Sequence, residues 1–263
     1  MASEQVPAVE YEVAGAVATV TLTSPSLGLV AKQSLLAAVQ RAAADTAVRA
    51  VVLTGSGRVF CAGQDLREHA EALRDDPEHA FATLAEHYNP IVTALVSMDK
   101  PVLALINGTC AGAGLSIALA CDLRLAAATA RFTTAFTGIG LTPDSGLSAT
   151  LARAVGAARA SELILLAEPF SAEAANDWGL VGRVVPADEL PATGRELAAR
   201  LAAGPTRAYA TAKRALRQGW DVTLADVLAA EAVDQAALGA TADHQQAVAA
   251  FLAKRAPEFT GRD

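Results

Sequence analysis

Sulfur and aromatic rings are scarce in this chain: 263 residues hold three cysteines, two methionines, two tryptophans, three tyrosines and seven phenylalanines. Cys61, Cys110 and Cys121 are odd in number and show no CxxC spacing. That excludes a disulfide scaffold and fits a reducing, cytoplasmic setting. The histidines His69, His79, His87 and His244 are scattered, so no zinc spacing exists and no metal is expected. Positive charge is also in deficit. Lys+Arg 21 against Asp+Glu 28 gives −7, which argues against a dedicated binder of nucleic acid or of anionic membranes. Any grip on an anionic ligand has to come from a local basic patch or from backbone amides. The opening MASEQVPAVEYEV carries acids and no apolar core, and reads as neither signal nor transit peptide.

What the chain does have is alanine, 63 residues of it, within an apolar fraction of 52%. That fraction excludes disorder, and a chain of this length buries enough surface to need no staple. The 21 residues from Pro101 to Cys121 are uncharged, long enough in principle to span a bilayer. Asn107-Gly108 divides them, however, and an apolar strand followed by a Gly/Ala helix is the better reading. No membrane segment is expected.

Val9, Tyr11 and Val13, then Val17 to Leu22, read as paired strands around Ala14-Gly15. Leu35, Leu36, Val39 and Ala42 recur at helical spacing within residues 31–44. Ala50 to Leu53 is a short continuous apolar run, the pattern of a strand buried on both faces. A charged helical stretch is expected from about Arg67 to Val96. Strand Pro101–Ile106, helix Ala111–Ala120 and strand Asp122–Ala126 follow, then a helix over 147–154 and a short strand ending at Val185. Strand–helix alternation of this kind implies parallel βα units with helices packed outside. Residues 1–195 therefore read as an α/β core and 196–263 as a helical region, broken at Gly204-Pro205 and near Trp220.

Two loops are candidates for chemistry. Phe60-Cys61-Ala62-Gly63-Gln64-Asp65-Leu66 follows a strand, and its small residues let backbone approach a ligand. Asn107 to Gly114 opens from a strand onto a helix, whose unobstructed first-turn amides favour negative charge. Close helix–strand packing alone would also justify glycine and alanine there. Together the loops point to two amides converging on one oxygen, which would stabilise an enolate.

The segments AVVLTGSGRVFCAGQDL, KPVLALINGTCAGAGLSIALACDLRLA and SAEAANDWGLVGRVVP resemble the enoyl-CoA hydratase/isomerase (crotonase) superfamily, in order and over nearly the whole chain. The resemblance implies a spiral of βαβ units with a C-terminal helical trimerisation region, assembled as a homotrimer or dimer of trimers. It implies an acyl-CoA thioester as ligand, with coenzyme A belonging to the substrate and no separate cofactor. The oxyanion-hole positions are then the backbone N–H groups of Gln64 and Ala113. Ala62 and Gly112 flank them, Asp65, Leu66 and Arg67 fall where members contact the CoA moiety, and Arg58 and Lys254 are phosphate- or adenine-side candidates.

Family hydratases carry two glutamates, and the matching positions here read Ser116 and Phe136. Serine at its unperturbed pKa is no substitute base and phenylalanine has no proton to give, so an ordinary two-glutamate hydratase is not expected. A carboxylate does stand nearby, in GIGLTPDSGLS. As a residue alone, Asp144 reads as the N-cap of the following helix. The string also resembles the phenylacetate-degradation ring-epoxide isomerases and related enoyl-CoA isomerases, whose single catalytic aspartate falls here. That implies a double-bond shift from 3-enoyl- to 2-enoyl-CoA, or rearrangement of a ring epoxide, by proton transfer through Asp144 within an apolar wall of Phe136, Ile139 and Leu141. Atypical hydration, thioester hydrolysis, and a non-catalytic CoA-ester-binding member stay open as alternatives. Cys61, Cys110 and Ser116 read as packing residues, and His87 as solvated.

Overall fold

The structure is a computed structural model that describes residues 7–261; the first six residues of the N-terminal segment discussed above lie outside them. β1 (Val9–Ala14) and β2 (Val17–Leu22) pair antiparallel, and Ala18, Val20 and Leu22 point inward at the period-two spacing of a half-buried strand. α1 (Leu29–Ala44) buries Ala31, Leu35, Ala38, Val39 and Ala42, the apolar stripe of a helix lying on a core. The chain then lays down strands in pairs, one long and one short. β3 (Ala50–Gly55) precedes β4 (Val59–Cys61). After α2 (Leu66–Asp75) and α3 (Asn89–Ser97) come β5 (Val102–Ile106) and β6 (Thr109–Ala111). α4 (Ala113–Ala120) leads to β7 (Leu123–Ala127) and β8 (Arg131–Thr133). α5 (Leu147–Val155), α6 (Ala157–Leu166), β9 (Phe170–Ser171), α7 (Ala172–Asp177) and β10 (Arg183–Val185) close this part.

The long strands form one sheet in the order β1-β2-β3-β5-β7-β10, and the short ones a second in the order β4-β6-β8-β9. Pairing is parallel except at β1–β2 and β8–β9. A chain that adds one strand to each of two sheets on every pass is a spiral, as the resemblance implied. The run from Pro101 to Cys121 lies in its interior as β5, β6 and α4, and every residue of α4 is buried. No helix of the described residues is long and apolar enough to cross a membrane.

α8 (Leu190–Ala202) packs Leu190 and Ala198 onto Val52, Leu103 and Leu125 of the long sheet. The division drawn at residue 195 falls inside this helix. α9 (Thr206–Gln218), α10 (Leu224–Gly239) and α11 (Ala242–Leu252) follow. α9 is anchored from below: Lys213 Nζ lies 2.7 Å from Asp122 and donates to the carbonyls of Leu95 and Lys100.

Three local expectations need correction. The stretch 67–96 is not one helix: α2 stops at Asp76, whose φ of −149° leaves the helical region, and Pro77 follows. Beyond it a π-helical turn, Leu84–Tyr88, feeds α3. Thr109–Ala111 is a strand paired with β4 and β8, so Thr109 and Cys110 are not loop and the helix expected from Ala111 begins at Ala113. His87 is only half exposed, and its Nδ1 lies 3.2 Å from Thr83 Oγ1.

Candidate active site

Both candidate loops leave short parallel strands, which brings them side by side. After β4, Leu27 and Gln64 form an isolated parallel bridge: Leu27 N donates to Gly63 O at 2.8 Å and Asp65 N to Leu27 O at 3.3 Å. Those bonds use the neighbours of Gln64, so its own N–H faces away from residue 27. After β6, Gly112 turns the chain into α4 with φ +52° and ψ −125°, a conformation that side chains disfavour. Ala113 opens the helix, and its N–H has no intrahelical acceptor. A Cβ placed on Gly63 would stand 3.0 Å from Ala111 O and 3.3 Å from Ala113 N, so the loops are in van der Waals contact. Among the described residues neither the Gln64 nor the Ala113 amide has a hydrogen-bond acceptor. Two free donors, one reinforced by a helix dipole, suit an oxygen that gains negative charge.

A cavity of about 120 Å³ lies at these amides. Nine residues to which the sequence analysis gave a role line it: Ala62, Gln64, Leu66, Gly112, Ala113, Phe136, Ile139, Leu141 and Asp144. Gly63, His69, Phe81, Leu84 and Ala135 complete the wall. Asp65, Arg67, Arg58 and Lys254 are not part of it. Asp65 caps α2 instead, its carboxylate accepting from the N–H groups of Arg67 and Glu68 and from Ser26 Oγ. The bond from Glu68 N and the Ser26 hydroxyl hold its pKa below the usual value.

Asp144 does not cap a helix. The N-cap of α5 is Gly146, with no side-chain cap bond. Asp144 begins a tight turn closed by Leu147 N donating to its carbonyl at 3.0 Å, with Ser145 and Gly146 both at positive φ. A serine at φ +53° is a strained position of the kind found where function dictates geometry. Ser145 Oγ donates to Asp144 Oδ1 at 2.7 Å. Burial raises the Asp144 pKa, and the Ser145 hydrogen bond opposes the rise only in part.

Ser116 and Phe136 both adjoin the site without bringing charge to it. Ser116 is fully buried, with its hydroxyl 3.3 Å from the carbonyl of Asp144 and 3.4 Å from that of Gly112. It thereby ties α4 to the turn that carries Asp144. Phe136 is a buried side chain of the cavity wall.

The outer wall is α2 and the turn after it. Glu68 accepts from Leu29 N at 2.7 Å and pairs with Lys32 at 3.2 Å, and Lys32, 2% exposed, also donates to Thr83 Oγ1. Tyr88 lies fully buried, its hydroxyl without a partner among the described residues. Burial first, and then the neighbouring acidic groups Cys61, Asp144, Glu68 and Asp65, push its pKa up.

The cysteines are not nucleophiles. All three are buried, and burial pushes Cys61 and Cys121 up to about 12 and Cys110 well above its ordinary value. A thiol-reactive dye should leave the native protein unlabelled and modify all three only after unfolding, as mass spectrometry would read.

Two amides without acceptors beside one half-buried carboxylate, held in a spiral of paired strands, form an arrangement that can hold an oxyanion and exchange a proton next to it. The chain belongs to the enoyl-CoA hydratase/isomerase family, whose model matches residues 12–262. It is 44% identical over 259 residues to a Rhodobacter capsulatus protein described as a probable enoyl-CoA hydratase, covering 97% of this chain and 98% of that one. It is 40% identical to the 1,2-epoxyphenylacetyl-CoA isomerase of Escherichia coli over 218 residues, 83% of each chain. A crystal structure from Mycobacterium abscessus assigned to enoyl-CoA hydratase/isomerase superimposes with a TM-score of 0.94 at 49% identity. It covers 97% of this chain and 100% of that one.

Proposed function

We propose that the protein is an acyl-CoA isomerase that moves a double bond from the 3,4 to the 2,3 position, or rearranges a ring-epoxide acyl-CoA, through an enolate. One observation carries this reading. A single carboxylate, Asp144, lines the same cavity as the two unpartnered amides, while positions 116 and 136 bring none. The 40% identity to an enzyme named as an isomerase of 1,2-epoxyphenylacetyl-CoA supports it.

The thioester oxygen sits against Gln64 N–H and Ala113 N–H. Asp144 takes a proton from C2 of a 3-enoyl ester, and the electron pair spreads over a dienolate whose oxygen the amides hold. The same carboxyl group returns the proton to C4, leaving the 2,3 double bond. Phe136, Ile139 and Leu141 exclude water, and the raised pKa makes Asp144 a stronger base toward a carbon acid. Coenzyme A enters as part of the substrate and no other cofactor is required. Asp65, Leu66 and Arg67 flank the cavity mouth as CoA contacts, with Arg58 and Lys254 as the phosphate-side basic residues.

The assembly is a homotrimer or a dimer of trimers in the cytoplasm. Apolar side chains left exposed on the last helices and the turn between two of them, among them Leu216, Trp220, Leu224, Phe251 and Leu252, support association of copies. The buried free thiols fit a reducing compartment. Atypical hydration is the second reading, favoured by the 44% identity to a relative described as a hydratase. Incubation with 3-enoyl- and 2-enoyl-CoA in heavy water separates the two. Isomerisation with deuterium incorporation is expected. Formation of 3-hydroxyacyl-CoA would replace the isomerase by the hydratase, and binding without exchange would leave a non-catalytic CoA-ester-binding member.

A further inference from the structure

The turn that carries Asp144 holds a residue its backbone does not favour. Leu147 N closes it, and both central residues, Ser145 and Gly146, lie at positive φ, +53° and +80°. Turns of that shape suit glycine, asparagine or aspartate, and Gly146 meets the demand. Ser145 does not: at this φ its Cβ crowds the backbone, where glycine would be free. The turn alone therefore gives no reason for serine at 145. Its hydroxyl does. Ser145 is 5% exposed, and its Oγ donates to Asp144 Oδ1 at 2.7 Å, a length within the range of a hydroxyl bound to an ionised carboxylate. The Asp144 backbone is already tied, its carbonyl accepting from Leu147 N and Ser116 Oγ. The carboxylate has a single tie: among the described residues, Ser145 is its one hydrogen-bond donor.

We propose that Ser145 is a positioning residue, present for a hydroxyl that holds the Asp144 carboxylate in one orientation for proton exchange. The catalytic consequence rests on the isomerase reading; the hold on the carboxylate does not. Burial and this bond are the two influences on the acidity of Asp144, and they oppose each other. The titratable groups around it are His69 in the cavity wall, Tyr88, Cys61, and Asp65 and Glu68 near α2. α4 brings none. On α5 and α6, Arg153 pairs with Asp221, and Arg159 with Glu162. Removing the hydroxyl leaves all of these unchanged, so the titration of Asp144 reports on Ser145.

The test follows that titration by NMR in protein isotope-labelled at the aspartate carboxyl carbon, the signal being identified by its absence from Asp144→Asn. Ser145→Ala keeps the Cβ and removes only the oxygen. Ser145→Gly also removes the crowding, and serves where alanine fails to fold. Both should lower the acid dissociation constant of Asp144 about tenfold, the effect of one hydrogen bond to a charged group. The rising limb of kcat/KM should move to higher pH by the same factor. On the plateau kcat should fall about tenfold at unchanged KM, because the freed carboxylate turns out of line. A titration equal to the native one in both variants, or altered in Ser145→Gly alone, overturns the proposal. So does an undiminished kcat on the plateau. A titration that moves in a protein that does not isomerise would refute the isomerase and leave the hold of Ser145 on the carboxylate standing.

Discussion

Asp144→Asn is expected to lower isomerisation of a 3-enoyl-CoA by about a thousandfold, within the ~10²–10⁴ that a positioned acid–base group contributes. The amide keeps the size of the side chain and its contact with Ser145, so KM should change little and the loss should fall on kcat. Deuterium exchange into the substrate should drop in parallel. Exchange at the native rate in Asp144→Asn would remove Asp144 from the chemistry. The native pH profile supplies a second reading. In the proposed isomerisation Asp144 acts ionised, and its pKa is raised by burial, so kcat/KM should climb with pH along a limb displaced above the ordinary 3.8. The same shift has a sign for stability. The folded chain keeps this proton to higher pH than the unfolded chain does, so stability falls as pH rises between 3.8 and the raised value. At neutral pH the ionised carboxylate is destabilising. The Asn variant should therefore melt above the native protein there, with the advantage fading as acid protonates Asp144.

Gly114→Ala should be nearly as damaging, through a different route. A Cβ at this position would stand 2.2 Å from Cys61 O and 2.7 Å from Cys61 Cβ, too close for either to remain in place. Cys61 leads directly into the loop that carries the Gln64 amide, and Gly114 follows Ala113 in α4. One methyl group therefore pushes both oxyanion loops apart. Overpacking of this kind costs about 1–3 kcal/mol in stability. Loss of aim by one amide costs about 10²–10³ in kcat. Urea denaturation and steady-state rates measure the two effects separately. Gly239→Ala is the control: nothing lies within 4 Å of its added Cβ, and at the end of α10 it should be neutral or stabilise by up to ~1 kcal/mol. Equal behaviour of the two variants would show that the loops tolerate displacement.

The long sheet was legible in the sequence because β3 and β5 are continuous apolar runs, a pattern that burial on both faces imposes. The second sheet was not. Its strands are two or three residues long, too short for any period to register, and Thr109 and Cys110 consequently read as loop and Ala111 as helix. Small residues at two strand ends pointed to the two loops, whereas the particular amides and a chemical role for Asp144 came only from the family resemblance. The far wall of the cavity was opaque for a different reason. His69 stands in a helix with no buried residues, where charge dominates the pattern. Only the fold of residues 76–88 back over it turns that exposed-looking face into a wall. The tight turn at Asp144 was likewise hidden, since an Asp-Ser-Gly string before a helix has the composition of an ordinary cap.

That turn carries a stereochemical consequence. Ser145 donates to Oδ1 of Asp144, so in the proposed isomerisation the other oxygen is left to pick up and release the migrating hydrogen. A single oxygen mounted on one wall reaches only one side of a planar dienolate. Removal at C2 and delivery at C4 must then occur on the same side, making the shift suprafacial. A chiral label at C2 should be transferred to one prochiral position at C4 with unchanged facial sense.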